Sequence, residues 1–361
     1  MSGNTNRLDW VDTAKGLSII LVVMMHSAYG VGEETGGAGY LHYVIAWATP
    51  FRMPEFFLIS GLFLSQVIGR DWLRFSDRRV IHYFYFYALW AVLQIVFKVG
   101  LGTGEPLSAA SGIAWAIIEP YGVLWFIYML AVFSLAAKLL HEFKVKHWLV
   151  LAAGAALQIA PIQVGSDLVD KFAEYFVYFY AGYALAPQIF RIVDWAQRHV
   201  LVSIAALGVY AIANALLVFG GGFRMLPIHV EMGFAGLPGL HLALAGIGSV
   251  SLCVLAALLS KLPVMDWLRW LGARSIVVYL SFTIPMAATR VLLLKLGVTN
   301  DTSVLSTVVF AVALASPLIL YWFIRKTGMG RFLFERPARA HLSGAPGSRG
   351  YMAKPAAAPA E

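Results

Sequence analysis

The chain reads as an all-α, polytopic membrane helix bundle with about ten transmembrane helices and both termini in the cytoplasm. Three observations predict this. Of its 361 residues, 60% are hydrophobic and only 13% are charged, a balance far from that of a soluble domain. The mean hydropathy is +0.74. Apolar runs long enough to cross a hydrocarbon layer of ~30 Å recur along most of the chain, with polar or Gly/Pro breaks between them.

Taken in order, the candidate spans are 10–30, 44–68, 79–100, 121–140, 147–163, 172–190, 199–219, 237–259, 274–296 and 304–325. The first follows a polar segment, "MSGNTNRLDWVDTAKG", and lacks a small-residue cleavage pattern, so it is expected to be retained rather than removed as a signal peptide. The third opens on "HYFYFYALW" and the sixth holds a Tyr/Phe run at 175–180, both expected as packing and interfacial belt. Residues 109–118, "AASGIAWAII", are too short to span and break at Glu119-Pro120, which suits an interfacial or re-entrant piece. The tail from 327 is rich in Ala, Pro, Gly and Arg. It is expected to be disordered near anionic lipid, giving a membrane domain over 1–326 and a basic tail over 327–361. No repeat of 20–50 residues and no soluble domain is apparent.

Basic residues orient the bundle. With the N-terminus inside, the cytoplasmic connections hold Arg70, Arg74, Arg78 and Arg79, then Lys138, Lys144 and Lys146, then Arg191 and Arg198, then Lys261, Arg269 and Arg274, and finally the tail. The other side has Lys98, Lys171, Arg224, Arg290 and Lys295. This asymmetry accounts for the formal charge of +8 without nucleic acid as a partner; the lipid bilayer is the expected one. The single cysteine, Cys253, forms no intrachain disulfide, and the histidines have no metal-ligand spacing on one helix.

Depth then singles out residues. In "KGLSIILVVMMH", Lys15 stands at the cytoplasmic end of the first helix and His26 about 16 Å further along, in the outer third. In the second, "FRMPEFFLISG" puts Arg52 and Glu55 three apart at a depth comparable with His26. Ionisable groups inside a bilayer are costly and are functional candidates by default. Arg52 and Glu55 serve chemistry on one reading and neutralise each other as a structural pair on another. Glu119, Glu174, His229, Glu231, His241 and Arg290 fall at the same outer level, consistent with a wet pocket open to the outside. Lys15 with the arginines at 70, 74, 78 and 79 would make a cationic mouth on the inner face, or those arginines are topology signals alone.

The basic-x10-His pattern of Lys15 and His26, "FFLISGLFL" on the second helix, "LWFIYML" at 124–130 and "LGARSIVVYL" at 271–280 together resemble acyltransferase family 3. The resemblance covers about residues 8–325. It implies a cytoplasmic acyl-CoA donor, acetyl-CoA foremost, and an acceptor hydroxyl on an extracytoplasmic glycan or related molecule. It also implies that Lys15 and His26 are needed for activity, and a bacterial-type inner (plasma) membrane is the expected location. Two departures stand out. Lys15 replaces the arginine of many members, keeping the charge without the bidentate fork. Ser281 stands where relatives often carry histidine. No esterase-like extension is expected, so activity would reside in the membrane part.

Acyl transfer from a thioester to a hydroxyl needs a base, oxyanion stabilisation and a seat for the CoA phosphates. His26 is the expected general base, with Glu55 orienting its ring or stabilising the imidazolium. Arg52 would favour the oxyanion or hold the donor carbonyl. Lys15, Arg74, Arg78 and Arg79 would attract the phosphates, and Glu119, Trp125, Glu174 and His241 are candidate acceptor contacts. The pantetheine arm of CoA is similar in length to the Lys15–His26 separation. The competing class is a multi-pass transporter of a small solute or lipid-linked sugar, to be recognised by paired broken helices. A membrane scaffold would have no use for ionisable groups at this depth.

Overall fold

A computed structural model describes residues 8–100 and 106–349. They form two compact units, one drawn from the chain up to Phe63 and Val145–Thr327, the other from Leu64–Lys144 and the chain from Gly328 onward.

The first unit is organised around α1 (Asp9–Thr35) and α2 (Tyr40–Leu62). Asp9 and Asp12 place negative charge in the first turn of α1, where the helix dipole favours it. Gly36 ends the helix in the left-handed region at φ 69°, and its N–H donates to Gly32 O at 2.8 Å. α1 packs on α2 and on the helices Leu240–Leu259, Asp266–Gly272 and Thr302–Thr327. At the Asp266–Gly272 crossing the backbones nearly touch: a Cβ on Gly272 would lie 1.7 Å from Asp12 O. Such small-residue contacts are how spanning helices gain packing where lipid supplies no hydrophobic drive.

α2 is buried on nearly every side from Leu41 to Leu62, enclosed by α1 and by the helices Asp167–Ala184 and Leu240–Leu259. Its charged residues are therefore covered by protein. The span expected over 172–190 stops at Ala184. A separate helix, Ala186–Arg198, follows and buries only Ala186, Ile189, Val193 and Ala196. That one-sided stripe packs with Trp10, Leu58 and Cys253, so the helix is amphipathic rather than spanning. A short antiparallel pair, Arg224–Met225 with Val230–Glu231, sets Arg224 opposite Glu231.

Six described helices are long and apolar enough to cross a membrane: Asp9–Thr35, Trp72–Lys98, Gly122–Glu142, Val200–Val218, Leu240–Leu259 and Thr302–Thr327. The pair Ser275–Ser281 and Thr283–Lys295, bent by 51°, makes a seventh if it is one span. The expected count of ten is therefore not what length and composition give. His147–Ile159 has 13 residues and is too short to span upright. α2 and Asp167–Ala184 carry the polar and charged residues of the site described below.

In the second unit, the helical stretch Trp72–Lys98 packs against Gly122–Glu142. Lys138 is buried and donates to Ile68 O at 2.8 Å and Arg70 O at 3.0 Å, while pairing with Glu142. The tail expected to be disordered is instead built onto this unit as far as residue 349; its remainder, 350–361, lies outside the described residues. Asp77 is the reason. Buried in its helix, it is paired with Arg336, lies 3.0 Å from His341 Nδ1 and accepts the Leu342 N–H at 2.7 Å. Trp90 Nε1 donates to Leu333 O and Tyr85 OH to Phe332 O, each at 3.0 Å. A low-complexity composition hides two partners that a buried carboxylate requires.

Candidate functional site

His26 lies on α1, 11 residues after Lys15. Its ring rests against Phe282, with centroids 5.5 Å apart, and it is half-buried. Arg52 of α2 is 9% exposed and within electrostatic range of His26. Among the described residues its Nε and Nη1 have no hydrogen-bond partner. A guanidinium offers five donors in a rigid fork, and leaving the three on Nε and Nη1 unused in a buried position is costly. Unspent donors beside a half-buried imidazole are the most informative feature of this unit.

Other side chains converge on Arg52 electrostatically: Tyr29 from α1, and Glu174 and Tyr175 from Asp167–Ala184. Glu174 pairs with Lys171 at 3.0 Å and also bonds to Tyr175. The Tyr175 ring stacks on Phe57 of α2 at 5.2 Å. His241, at the start of Leu240–Leu259, feels the Glu174 charge, and its Nδ1 lies 3.1 Å from Gln158 Nε2. Side chains from four helices are thus linked in sequence by electrostatic range, His26 to Arg52, Arg52 to Glu174 and Glu174 to His241. Tyr29, Tyr175 and Gln158 belong to this set as well. Tyr29 is one turn beyond His26 on the same face, and Gln158 is a polar residue inside an apolar run, so both left a signal in the sequence. Tyr175, in a run expected as packing, is marked only by its neighbour Glu174.

Glu55 sits elsewhere. It is 0% exposed and accepts a hydrogen bond from the Ser18 hydroxyl of α1, eight residues or about 12 Å along the axis from His26. Of the two readings of Arg52 and Glu55, the neutralising pair is not formed among the described residues, and Glu55 is bonded to Ser18 rather than set at the imidazole. Three residues on a helix leave an angular offset of about 60°. Inside an enclosed helix, that turns Arg52 toward one set of neighbours and Glu55 toward another.

Lys15, with its side chain 35% exposed, lies 3.9 Å from Asp12 Oδ1. Ser281 donates to Val277 O at 2.8 Å, a bond within its own helix. Arg290 ties the C-terminal end of α1 to its own helix, donating to Gly30 O at 2.9 Å and facing Glu34 at 3.6 Å. Glu231 faces Arg224 at 3.5 Å in the exposed hairpin, with His229 in the loop between its strands.

Arg74, Arg78, Arg79, Glu119 and Trp125 all belong to the second unit. Arg74 and Arg78 are exposed one turn apart, Arg74 lying 3.4 Å from Asp71, and Arg79 donates to Tyr83 OH at 3.3 Å. Glu119 is half-buried, and Trp125 opens the helix Trp125–Glu142. Among the described residues no group of three or more His, Cys, Asp or Glu is placed to hold a metal ion.

A half-accessible imidazole within electrostatic range of a cation with unused N–H groups can supply a proton acceptor and an oxyanion partner. Comparison with known proteins bears on what that pair would act on. The type 3 family model described as an acyltransferase domain matches residues 8–322 of this chain. No curated protein and no solved structure matches it.

Proposed function

Because the chain belongs to acyltransferase family 3, we propose that it transfers an acyl group, acetyl or succinyl, from cytoplasmic acyl-CoA to a hydroxyl of an extracytoplasmic carbohydrate or related acceptor. The observation that supports this reading is the convergence of His26 with Arg52 and its unpartnered Nε and Nη1.

In the proposed reaction His26 removes the acceptor's hydroxyl proton as its oxygen attacks the thioester carbon. The carbonyl electrons move onto oxygen, where Arg52 donates hydrogen bonds to the oxyanion. Collapse breaks the C–S bond, and the CoA thiolate takes the proton back from the imidazolium. Both side chains are then restored. Glu174, Tyr175 and His241 would contact the acceptor. Lys15 would attract CoA phosphate at the cytoplasmic end of α1, and Arg74, Arg78 and Arg79 carry charge of the same kind in the second unit.

We further read the bundle as having ten crossings with both ends cytoplasmic, in a bacterial-type inner membrane. The Lys/Arg bias between successive connections supports the orientation. For ten crossings, α2 and Asp167–Ala184 would span inside a protein sheath, shielded from lipid, and His147–Ile159 would need flanking residues to complete its crossing. A transporter is favoured less, because the described residues have one bent helix pair rather than matched pairs in two halves.

The test is transfer of radiolabel from acetyl-CoA, and separately succinyl-CoA, into cell-envelope material by membranes holding wild type or His26→Ala at matched expression. Label present with wild type and lost with the variant is the expected result. Membranes that insert both proteins yet show no His26-dependent label with either donor would sink the proposal.

A further inference from the structure

The helix Thr302–Thr327 finishes its apolar course in Arg325 and Lys326. Beside that end, Leu318, Ile319, Trp322 and Arg325 line a groove of about 740 Å³ together with Trp270 and Arg274. The groove lies wholly within the first unit. Its two cations arrive from different helical segments, and Arg274 is held in place. The Arg274 guanidinium lies 4.1 Å from the Trp270 ring centroid, and its Nη1 donates to Trp270 O at 2.9 Å. Lys326 adds a third positive charge 5.0 Å from the Trp322 ring.

Among the described lining residues none is acidic. A neighbouring cleft that shares Trp270 does contain Asp9, Asp12 and Asp266, but Arg269 compensates Asp9 and Asp266 at 2.8 and 3.2 Å, and Lys15 faces Asp12 at 3.9 Å. The rim of the groove is therefore cationic while its wall is indole and aliphatic. A free anion would use only the rim, and a neutral hydrocarbon only the wall. A molecule with phosphate at one end and acyl chain at the other uses both, and it is met where a spanning helix leaves the hydrocarbon. The geometry points to a binding site for an anionic glycerophospholipid, its phosphate on Arg274 and Arg325 and its acyl chains along Leu318, Ile319 and Trp322.

Tryptophan quenching tests this in vesicles of phosphatidylcholine titrated with phosphatidylglycerol that carries brominated acyl chains. Brominated phosphatidylcholine is the parallel titrant. Wild type should show a saturable quench at low phosphatidylglycerol fraction, absent from a Trp270→Phe/Trp322→Phe variant. Arg274→Gln/Arg325→Gln should need about thirtyfold more of that lipid, the loss expected for two interfacial cations. Should the double variant fail to fold, Arg325→Gln alone, at an exposed helix end, carries the test with a smaller shift. The site is overturned if both brominated lipids quench wild type equally, or if the arginine variant superimposes on wild type. Relief of the wild-type quench by free CoA or inorganic phosphate would also overturn it, assigning the rim to a soluble phosphate ligand.

Discussion

Gly61 of α2 and Gly182 of the helix Asp167–Ala184 bring two backbones into direct contact. A Cβ on Gly61 would lie 2.1 Å from Phe179 O, and one on Gly182 would lie 2.0 Å from Leu58 O. The two helices run in the same direction from their site ends to this point. Arg52 precedes Gly61 by nine residues and Glu174 precedes Gly182 by eight, so both reach the same level about 12–14 Å along the pair. The glycine contact thus sets the register that faces the guanidinium toward the carboxylate.

Gly61→Ala should therefore separate the helices and lower stability by about 1–3 kcal/mol, the range for overpacking a filled interface. Gly69→Ala is the control, since a Cβ there meets nothing within 4 Å. Thermal denaturation of the detergent-purified proteins should shift for the first and stay near wild type for the second.

His26→Ala should cut transfer by roughly 10²–10⁴-fold, the usual contribution of a positioned base, with the protein still monodisperse on gel filtration. A base must be unprotonated to act. The wild-type rate should therefore fall toward about a tenth per pH unit below the imidazole titration and recover as pH rises. A rate that stays flat across that titration would remove His26 from the proton-transfer step.

Arg52 separates catalysis from stability. Its Nε and Nη1 bond to nothing among the described residues, so Arg52→Met exchanges a poorly compensated buried cation for an apolar side chain. Stability should hold or rise, while transfer falls about 10²–10³-fold if the guanidinium serves the oxyanion. Unfolding on this substitution would mean that the charge holds the bundle together instead.

Glu55→Gln keeps an acceptor for Ser18 and should leave transfer within a few-fold of wild type. Loss of 100-fold or more would return Glu55 to a role at His26. Ser18→Ala leaves the buried carboxylate without that bond and should cost about 1–3 kcal/mol in a denaturation measurement.

Arg336→Ala should destabilise the second unit by about 3–5 kcal/mol, because it strands Asp77, whose side chain is 5% exposed. Limited proteolysis should then cut the 328–349 segment faster than in wild type. Equal cutting rates would show that His341 and the Leu342 N–H suffice to hold it.

Composition and hydrophobic runs alone determined that this is a helical membrane protein. The spacing of Lys15 and His26 on one helix was equally legible, because an axial rise per residue turns sequence distance directly into depth. What sequence could not supply was azimuth. Arg52 and Glu55 lie only about 4.5 Å apart in depth, yet only the packing of α1 and Asp167–Ala184 around α2 decided that one turns to the His26–Glu174 cluster and the other to Ser18. Tyr175 joined the cluster for the same reason, since an aromatic side chain in an apolar run looks identical whether it faces lipid or a buried cation. The attachment of residues 328–349 is not legible in the tail's composition, because a buried carboxylate at Asp77 recruits Arg336 and His341 across some 260 residues of sequence, and no local composition records a partner so distant. Depth along a helix is a one-dimensional quantity that a chain carries with it. Facing is a relation between helices, and it exists only once their backbones have met at residues such as Gly61 and Gly182.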